Sequence, residues 1–240
     1  MKKIFLIVLI SCTAFVAAAQ KEVVNDRNAE VRTINGSFTS IKISGGIDLF
    51  LSQSDNEAVA VSANEDKFKE GIKTIVENGV LKIYYDGNKN WESWKNRQMR
   101  VYVAFKNLEG VDASGACDVQ VSGTVTVPSL KLSMSGASDF KGCVKVTDLK
   151  MELSGASDVK ICGTATTVNI ESSGASDVKG YDLVTDYCTA KASGASDINI
   201  TVNKELSASA SGSSDIFYKG DAVKKEVHSG GASSVEKKGR

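Results

Sequence analysis

Apolar and polar residues alternate through most of the chain. Leu130, Leu132 and Met134 take every second position, with Lys131 and Ser133 between them. The same pattern returns in Leu149, Met151 and Leu153, in Val168 and Ile170, in Cys188, Ala190 and Ala192, and in Leu206, Ala208 and Ala210. Alternation of period two predicts strands with one buried face. Each run leads into one short motif, written in full as Ser154-Gly155-Ala156-Ser157-Asp158 and then an apolar residue. The motif recurs from Ser135, Ser173 and Ser193, and more loosely from Ser114, Ser211 and Gly230. A forerunner is Ser44-Gly45-Gly46-Ile47-Asp48. The motif glycines 115, 136, 155, 174, 194, 212 and 231 are spaced by 21, 19, 19, 20, 18 and 19 residues.

A near-constant period of this size predicts a solenoid, in which each repeat is one coil stacked on the next. Val119, Phe140, Val159, Val178, Ile198 and Ile216, just after the motif, form a second inward column. Lys141, Lys160, Lys179 and Asn199 point outward beside it. Glycines at 123, 142, 163, 180 and 220 mark a second bend in most coils. A period of about 19 residues leaves no room for crossover helices. The predicted fold is therefore all-β, a parallel β-helix with coils of about 19–20 residues.

Ahead of the coils lies a β region without the short repeat. Residues 39–43 alternate, Gly45-Gly46 turns the chain, and Ile47, Leu49 and Leu51 continue the pattern. Val59-Ala60-Val61 is a strand, and residues 64–70 are a turn or a short helix. Residues 72–76 and 80–84 flank Glu77-Asn78-Gly79, a strong hairpin signal. Residues 85–98 read as a polar loop and residues 99–105 as another strand. The expected division is a signal peptide at 1–19, a flexible polar leader at 20–34, the N-terminal β region at 35–107 and the repeat coils at 108–240.

The signal peptide follows from basic Lys2-Lys3, an apolar run from Ile4 and the small residues Ala17-Ala18-Ala19 before Gln20. Leu9-Ile10-Ser11-Cys12 is a competing lipobox reading, with few apolar residues ahead of Cys12 and apolar rather than polar residues behind it. Cleavage after Ala19 leaves 27 basic against 29 acidic residues, a net charge of −2. So balanced a chain lacks the basic footprint of a nucleic-acid binder. Export permits disulfides among Cys117, Cys143, Cys162 and Cys188. Cys143 and Cys162 stand seven residues after their glycines and should stack, so a bridge between them competes with four buried thiols. No Cys/His spacing suits zinc, and no cofactor is implied.

Two groups of residues are candidates for function. Asp48, Asp118, Asp139, Asp158, Asp177, Asp197 and Asp215 should form a column of carboxylates one coil apart, which repel unless something relieves them. Hydrogen bonds from turn N–H groups and repeat serines give a structural column. Bound cations such as Ca²⁺ give a functional one. Tyr84, Tyr85, Trp91 and Trp94 concentrate rings near a polar loop carrying Lys89, Lys95, Asn96 and Arg97. They are either a ligand-contact surface able to stack on sugars or a cap over the solenoid's open end.

The strand Val59-Ala60-Val61, the Asn78-Gly79 hairpin, the Trp-bearing loop, residues 101–105 and the Ser-Gly-Ala-Ser-Asp repeats together resemble the auto-transporter adhesin, head GIN domain family of exported bacterial proteins, largely from Bacteroidetes-type bacteria. The family's Gly-Ile-Asn stands here as Gly46-Ile47-Asp48. The resemblance covers about residues 31–235. It implies a right-handed parallel β-helix in the periplasm, at the outer membrane surface or outside the cell, with a role in adhesion. The expected function is a non-catalytic binding module for a glycan or surface protein, with self-association compatible. A purely structural envelope protein is the alternative. A polysaccharide-degrading enzyme is a third reading, but the acids recur with the repeat and the lone His228 sits in the last coil.

Overall fold

The computed structural model describes residues 26–87 and 97–239. The elements in chain order begin with β1 (Glu30–Arg32), β2 (Ser40–Ser44), β3 (Asp48–Gln53), β4 (Ala58–Ala63), the short helix α1 (Asp66–Gly71), β5 (Ile72–Glu77), β6 (Val80–Tyr85) and β7 (Met99–Phe105). They continue with β8 (Gly110–Ser114), β9 (Asp118–Thr126), β10 (Ser129–Met134), β11 (Asp139–Leu153), β12 (Asp158–Ser172), β13 (Asp177–Ala192) and β14 (Asp197–Gly212). The chain closes with β15 (Asp215–Lys219), β16 (Val223–Gly231) and β17 (Ser234–Lys237). The chain is a β-solenoid of about seven turns, with 68% of the described residues in strands and 3% in helix.

Like strands of successive coils pair in parallel. β11 pairs with β12, β12 with β13 and β13 with β14, and each coil presents the same face at the same height. Leu130 lies beside Leu149, Leu149 beside Val168, Val168 beside Cys188 and Cys188 beside Leu206. Every residue of the two inward columns is buried, Leu132, Met151, Ile170 and Val159 completely so. Each such aliphatic side chain contributes about 1.5–3 kcal/mol of burial. Lys131, Lys150 and Asn169 are exposed on the opposite face of the same strands. The alternation therefore sets both the strand and its inside.

The N-terminal region is threaded into this stack rather than placed before it. β2 and β3, joined by Gly45-Gly46, form a coil that lies on β8 and β9 on one side. On its other side lie β6 and β7, also parallel to it. The chain thus builds one coil, moves outward to build the next, and returns past Leu108 to β8. The outermost parallel strands are covered by antiparallel ones. β5 pairs with β6 through the Asn78-Gly79 hairpin, and β4 pairs with β7. Such partners blunt the edge that a parallel sheet otherwise exposes.

Two expectations need correction. Part of the predicted polar leader is strand, because β1 pairs antiparallel with β4 and Arg32 donates to the Lys69 carbonyl at 3.2 Å. Three residues are too few to show alternation. Cys143 and Cys162 are not buried thiols but a disulfide, with Cα atoms 4.4 Å apart across adjacent coils. Cys117 and Cys188 are the buried free thiols, and burial pushes the Cys188 thiol up to about 12. The predicted signal peptide, with Cys12, and residues 20–25 lie outside the described residues. No helix of the described residues is long and apolar enough to cross a membrane.

Candidate functional site

The motif builds one corner of every coil. Its glycine has φ near +80°, as in Gly136 (+78°), Gly155 (+82°) and Gly174 (+80°). These glycines sit directly on one another, and a Cβ on Gly155 would meet the Gly136 carbonyl oxygen at 2.4 Å. The residue after the glycine carries the ladder through the turn: the Ala156 N–H donates to the Gly136 carbonyl, and the Ala175 N–H to that of Gly155, both at 2.7 Å. The second serine turns inward. Ser138, Ser157, Ser176, Ser196 and Ser214 are fully buried. Three of their hydroxyls donate back three residues, Ser157 to the Ser154 carbonyl at 3.1 Å, Ser196 to that of Ser193 at 2.9 Å and Ser214 to that of Ser211 at 2.8 Å. The parity of the strand contained this signal, since Ser138 lies two residues before inward Phe140.

The aspartates stand in one column at the outer edge of that corner. Asp118 is beside Asp139, Asp158 beside Asp177 and Asp197 beside Asp215. Arg100 caps one end beside Asp48. Ser234 closes the other, its hydroxyl and N–H donating to Asp215 Oδ1 at 2.7 and 2.8 Å. Between the ends, carboxylates accept from the backbone of the next coil. The Asp158, Asp197 and Asp215 N–H groups each donate at 3.2 Å, to Asp139, Asp177 and Asp197 respectively. Lys179 pairs with Asp158 at 2.6 Å. Burial raises the carboxyls of Asp48 and Asp118, and the neighbouring charges of Asp118 and Asp139, respectively, add to it. Among the described residues no group of three or more acidic, His or Cys side chains could hold a metal ion.

The aromatic candidates separate. Tyr85 is only 8% exposed. Its ring is so close to Gly71 and Gly87 that a Cβ on either would meet it at 2.3 and 2.2 Å. The Arg97 guanidinium lies 4.4 Å from its centroid and 5.1 Å from that of buried Phe68. Tyr85 therefore packs inside the N-terminal end and offers no open face. Tyr84 is half-buried on β6. Trp91 and Trp94 lie outside the described residues, as do Lys89, Lys95 and Asn96.

On the face that enters the corner, a groove of about 650 Å³ runs along the stack. One side is the column Ser133, Glu152, Glu171, Lys191 and Ser209, adjacent in register. The other is the column of first motif serines, Ser135, Ser154, Ser173, Ser193 and Ser211. Lys131 and Lys150 bracket Glu152 at 2.7 and 2.6 Å and hold its carboxyl down at about 2. Lys191 pairs with Glu171 at 3.3 Å.

Residues 37–222 match the sequence profile of the family described as "Putative auto-transporter adhesin, head GIN domain". The chain belongs to that family. Its fold recurs in a "putative adhesin" from Bacteroides fragilis, 20% identical, with a TM-score of 0.81 over 88% of this chain and 98% of that one. A "putative lipid binding protein" from Parabacteroides distasonis is 21% identical, with a TM-score of 0.61 over 89% and 98% of the two chains. A "putative adhesin" from Parabacteroides merdae is 18% identical, with a TM-score of 0.62 over the same shares. At these identities the likeness is one of fold. No curated protein matches the sequence.

Proposed function

We propose that this member of the head GIN domain family is an exported binding module without catalytic activity, and that its serine-lined groove holds an extended polar ligand, a glycan chain. The groove carries the reading. It is open and runs along the stack, and it presents hydroxyl and charged groups once per coil, about every 4.8 Å. That spacing is on the scale of one sugar ring, so successive sugars meet equivalent donors and acceptors. The adhesin descriptions of the family and of two structural neighbours point the same way.

The acids of the groove support a non-catalytic reading. A glycosidase acid needs a raised carboxyl, whereas Glu152 in the groove is held at about 2, and the raised carboxyls of Asp48 and Asp118 do not line the groove. The Asp column spends several of its oxygens on backbone N–H groups of the next coil. The lipid-binding description of one neighbour finds less support here, since the interior columns are filled by buried Ile, Leu, Val and Met. Export rests on the character of residues 1–19.

The test is retention of residues 20–240 on an array of neutral and charged polysaccharides, beside Ser154→Trp. Ser154 is exposed at the groove, so the indole fills the groove without entering the core. Selective retention, lost in Ser154→Trp with an unchanged melting temperature, is expected. No retained polysaccharide, or equal retention by the variant, overturns the reading.

A further inference from the structure

At the opposite end of the stack from α1, a second groove of about 560 Å³ opens between the last two coils, beside Lys219, Asp221, Lys237 and Lys238. Lys219 ends β15, Lys237 ends β17 and Lys238 follows it. The rings that hold these lysines come from different coils. Lys219 Nζ lies 4.7 Å from the ring centroid of Tyr181 in β13, and Lys238 Nζ lies 4.0 Å from that of Phe217 in β15. The Lys238 charge also reaches Tyr181, where it opposes the upward push of burial on the phenol.

Charge in this groove is unbalanced and loosely held. Among the described residues Lys219 has no carboxylate partner within 4 Å. Lys237 meets Asp221 only at 3.5 Å, and that carboxylate is 82% exposed. Lys238 pairs with Glu236 at 2.8 Å, with Glu236 54% exposed. Elsewhere on the stack Lys131, Lys150 and Lys179 are matched to carboxylates at 2.6–2.7 Å, and Lys191 and Lys225 at 3.3 Å. Exposed ion pairs are worth about 0–1 kcal/mol, so a better anion can displace both carboxylates. A ring under an ammonium limits its rotamers, which lowers the entropy lost on binding. The backbone is set as well. The Lys238 N–H donates to the Tyr218 carbonyl at 2.9 Å, which holds the end of the chain against β15.

We propose that this groove binds a phosphate group, with Lys219, Lys237 and Lys238 as its ligands. Ammonium groups bind phosphate as point charges and need no planar fork. The phosphate belongs either to a soluble ester or to a lipid headgroup. The site is independent of the serine groove, which lies on another face of the coil and contains none of these residues.

Two probes test this on residues 20–240. The first is inorganic phosphate, titrated at constant ionic strength while the backbone amides of Gly220, Asp221 and Gly239 are followed by NMR. The second is sedimentation with phosphatidylcholine vesicles, with and without phosphatidic acid. The variant carries Lys219→Gln and Lys238→Gln together, and Lys131→Gln is the control. We expect saturable shifts at the three amides, weakened about tenfold in the double variant and unchanged in the control. Phosphatidic acid vesicles that sediment the wild type but not the double variant place the phosphate on a lipid. Amide shifts without vesicle binding place it on a soluble ester. The proposal is overturned if neither probe binds, or if the double variant, melting like the wild type, binds both equally.

Discussion

Stacked glycines at the motif corner should be the least substitutable surface positions in the molecule, and Gly155→Ala measures why. The Gly155 φ of +82° is costly for any side chain, by about 1–2 kcal/mol for a left-handed residue. The stack adds a second cost. The new Cβ would stand 2.4 Å from the Gly136 carbonyl oxygen and 3.0 Å from its nitrogen, and backbone cannot rotate out of the way. That same oxygen accepts the Ala156 N–H at 2.7 Å. Moving the coils apart weakens this bond and its neighbour, at about 1 kcal/mol each. Ala also restricts the unfolded chain, which offsets about 0.4–1 kcal/mol. The expected net loss is about 2–4 kcal/mol.

Gly79→Ala separates the two costs. Gly79 has φ +74° in the Asn-Gly hairpin, and a Cβ there meets nothing within 4 Å. It carries the conformational cost alone, about 1 kcal/mol. Urea unfolding of both variants, followed by far-UV circular dichroism, compares them. Midpoints are interpretable only while the slope stays at the wild-type value, because repeat stacks can lose cooperativity. Equal losses at Gly155 and Gly79 would refute the claim that the turns press on one another, leaving backbone angle as the sole reason for glycine in the motif.

The disulfide gives a second expectation: alkylation of residues 20–240 should label no cysteine in the native state, two after unfolding and four after unfolding with reductant, and Cys143→Ser with Cys162→Ser should cost about 2–4 kcal/mol. The Asp column gives a third, with opposite signs along it. Asp118 has a raised carboxyl, so its folded state is favoured at low pH and that contribution is lost as pH rises through the folded value; Asp118→Asn should therefore raise the melting temperature at pH 7 and lose its advantage below about pH 4. Asp215 accepts two hydrogen bonds at one oxygen, from the Ser234 N–H and Oγ–H; Asp215→Ala should cost about 1–3 kcal/mol and Asp215→Asn less. Melts with Ca²⁺ and with chelator should coincide for the wild type, and a Ca²⁺-dependent rise would turn the column into a cation site.

The coils were legible because their order in space repeats their order in sequence. Alternation showed which of Leu132 and Lys131 faces inward, and the motif spacing placed Asp139 beside Asp118. The N-terminal region was harder for a physical reason. Ser44-Gly45-Gly46-Ile47-Asp48 announces a coil, but nothing local says that β6 and β7, later in the chain, stack on its far side. That choice is made by the tertiary match of Ile41 with Leu81 and Leu49 with Val101. The phosphate groove was hidden for a related reason. Tyr181 sits where the register of β13 slips, between Gly180 and Val184, so counting from the motif does not place its ring beside Lys219.

These slips and substitutions are where binding has room to act. A residue that recurs in every coil is already committed to its neighbours above and below: the glycine to close approach, the inward serine to its own turn, the aspartate to the next backbone N–H. Changing one such residue strains two interfaces at once. Positions that vary between coils carry no such debt. The column Ser133, Glu152, Glu171, Lys191 and Ser209 changes charge from coil to coil while its backbone stays in register. A chain-like ligand on that face therefore meets a sequence of different groups on a fixed ruler. Exchanging Glu171 and Lys191 should preserve the ion pair and the fold while reversing the order of charge along the groove. Retention of a charged polysaccharide by the wild type but not by the exchanged variant, at equal melting temperature, is the outcome this reasoning requires.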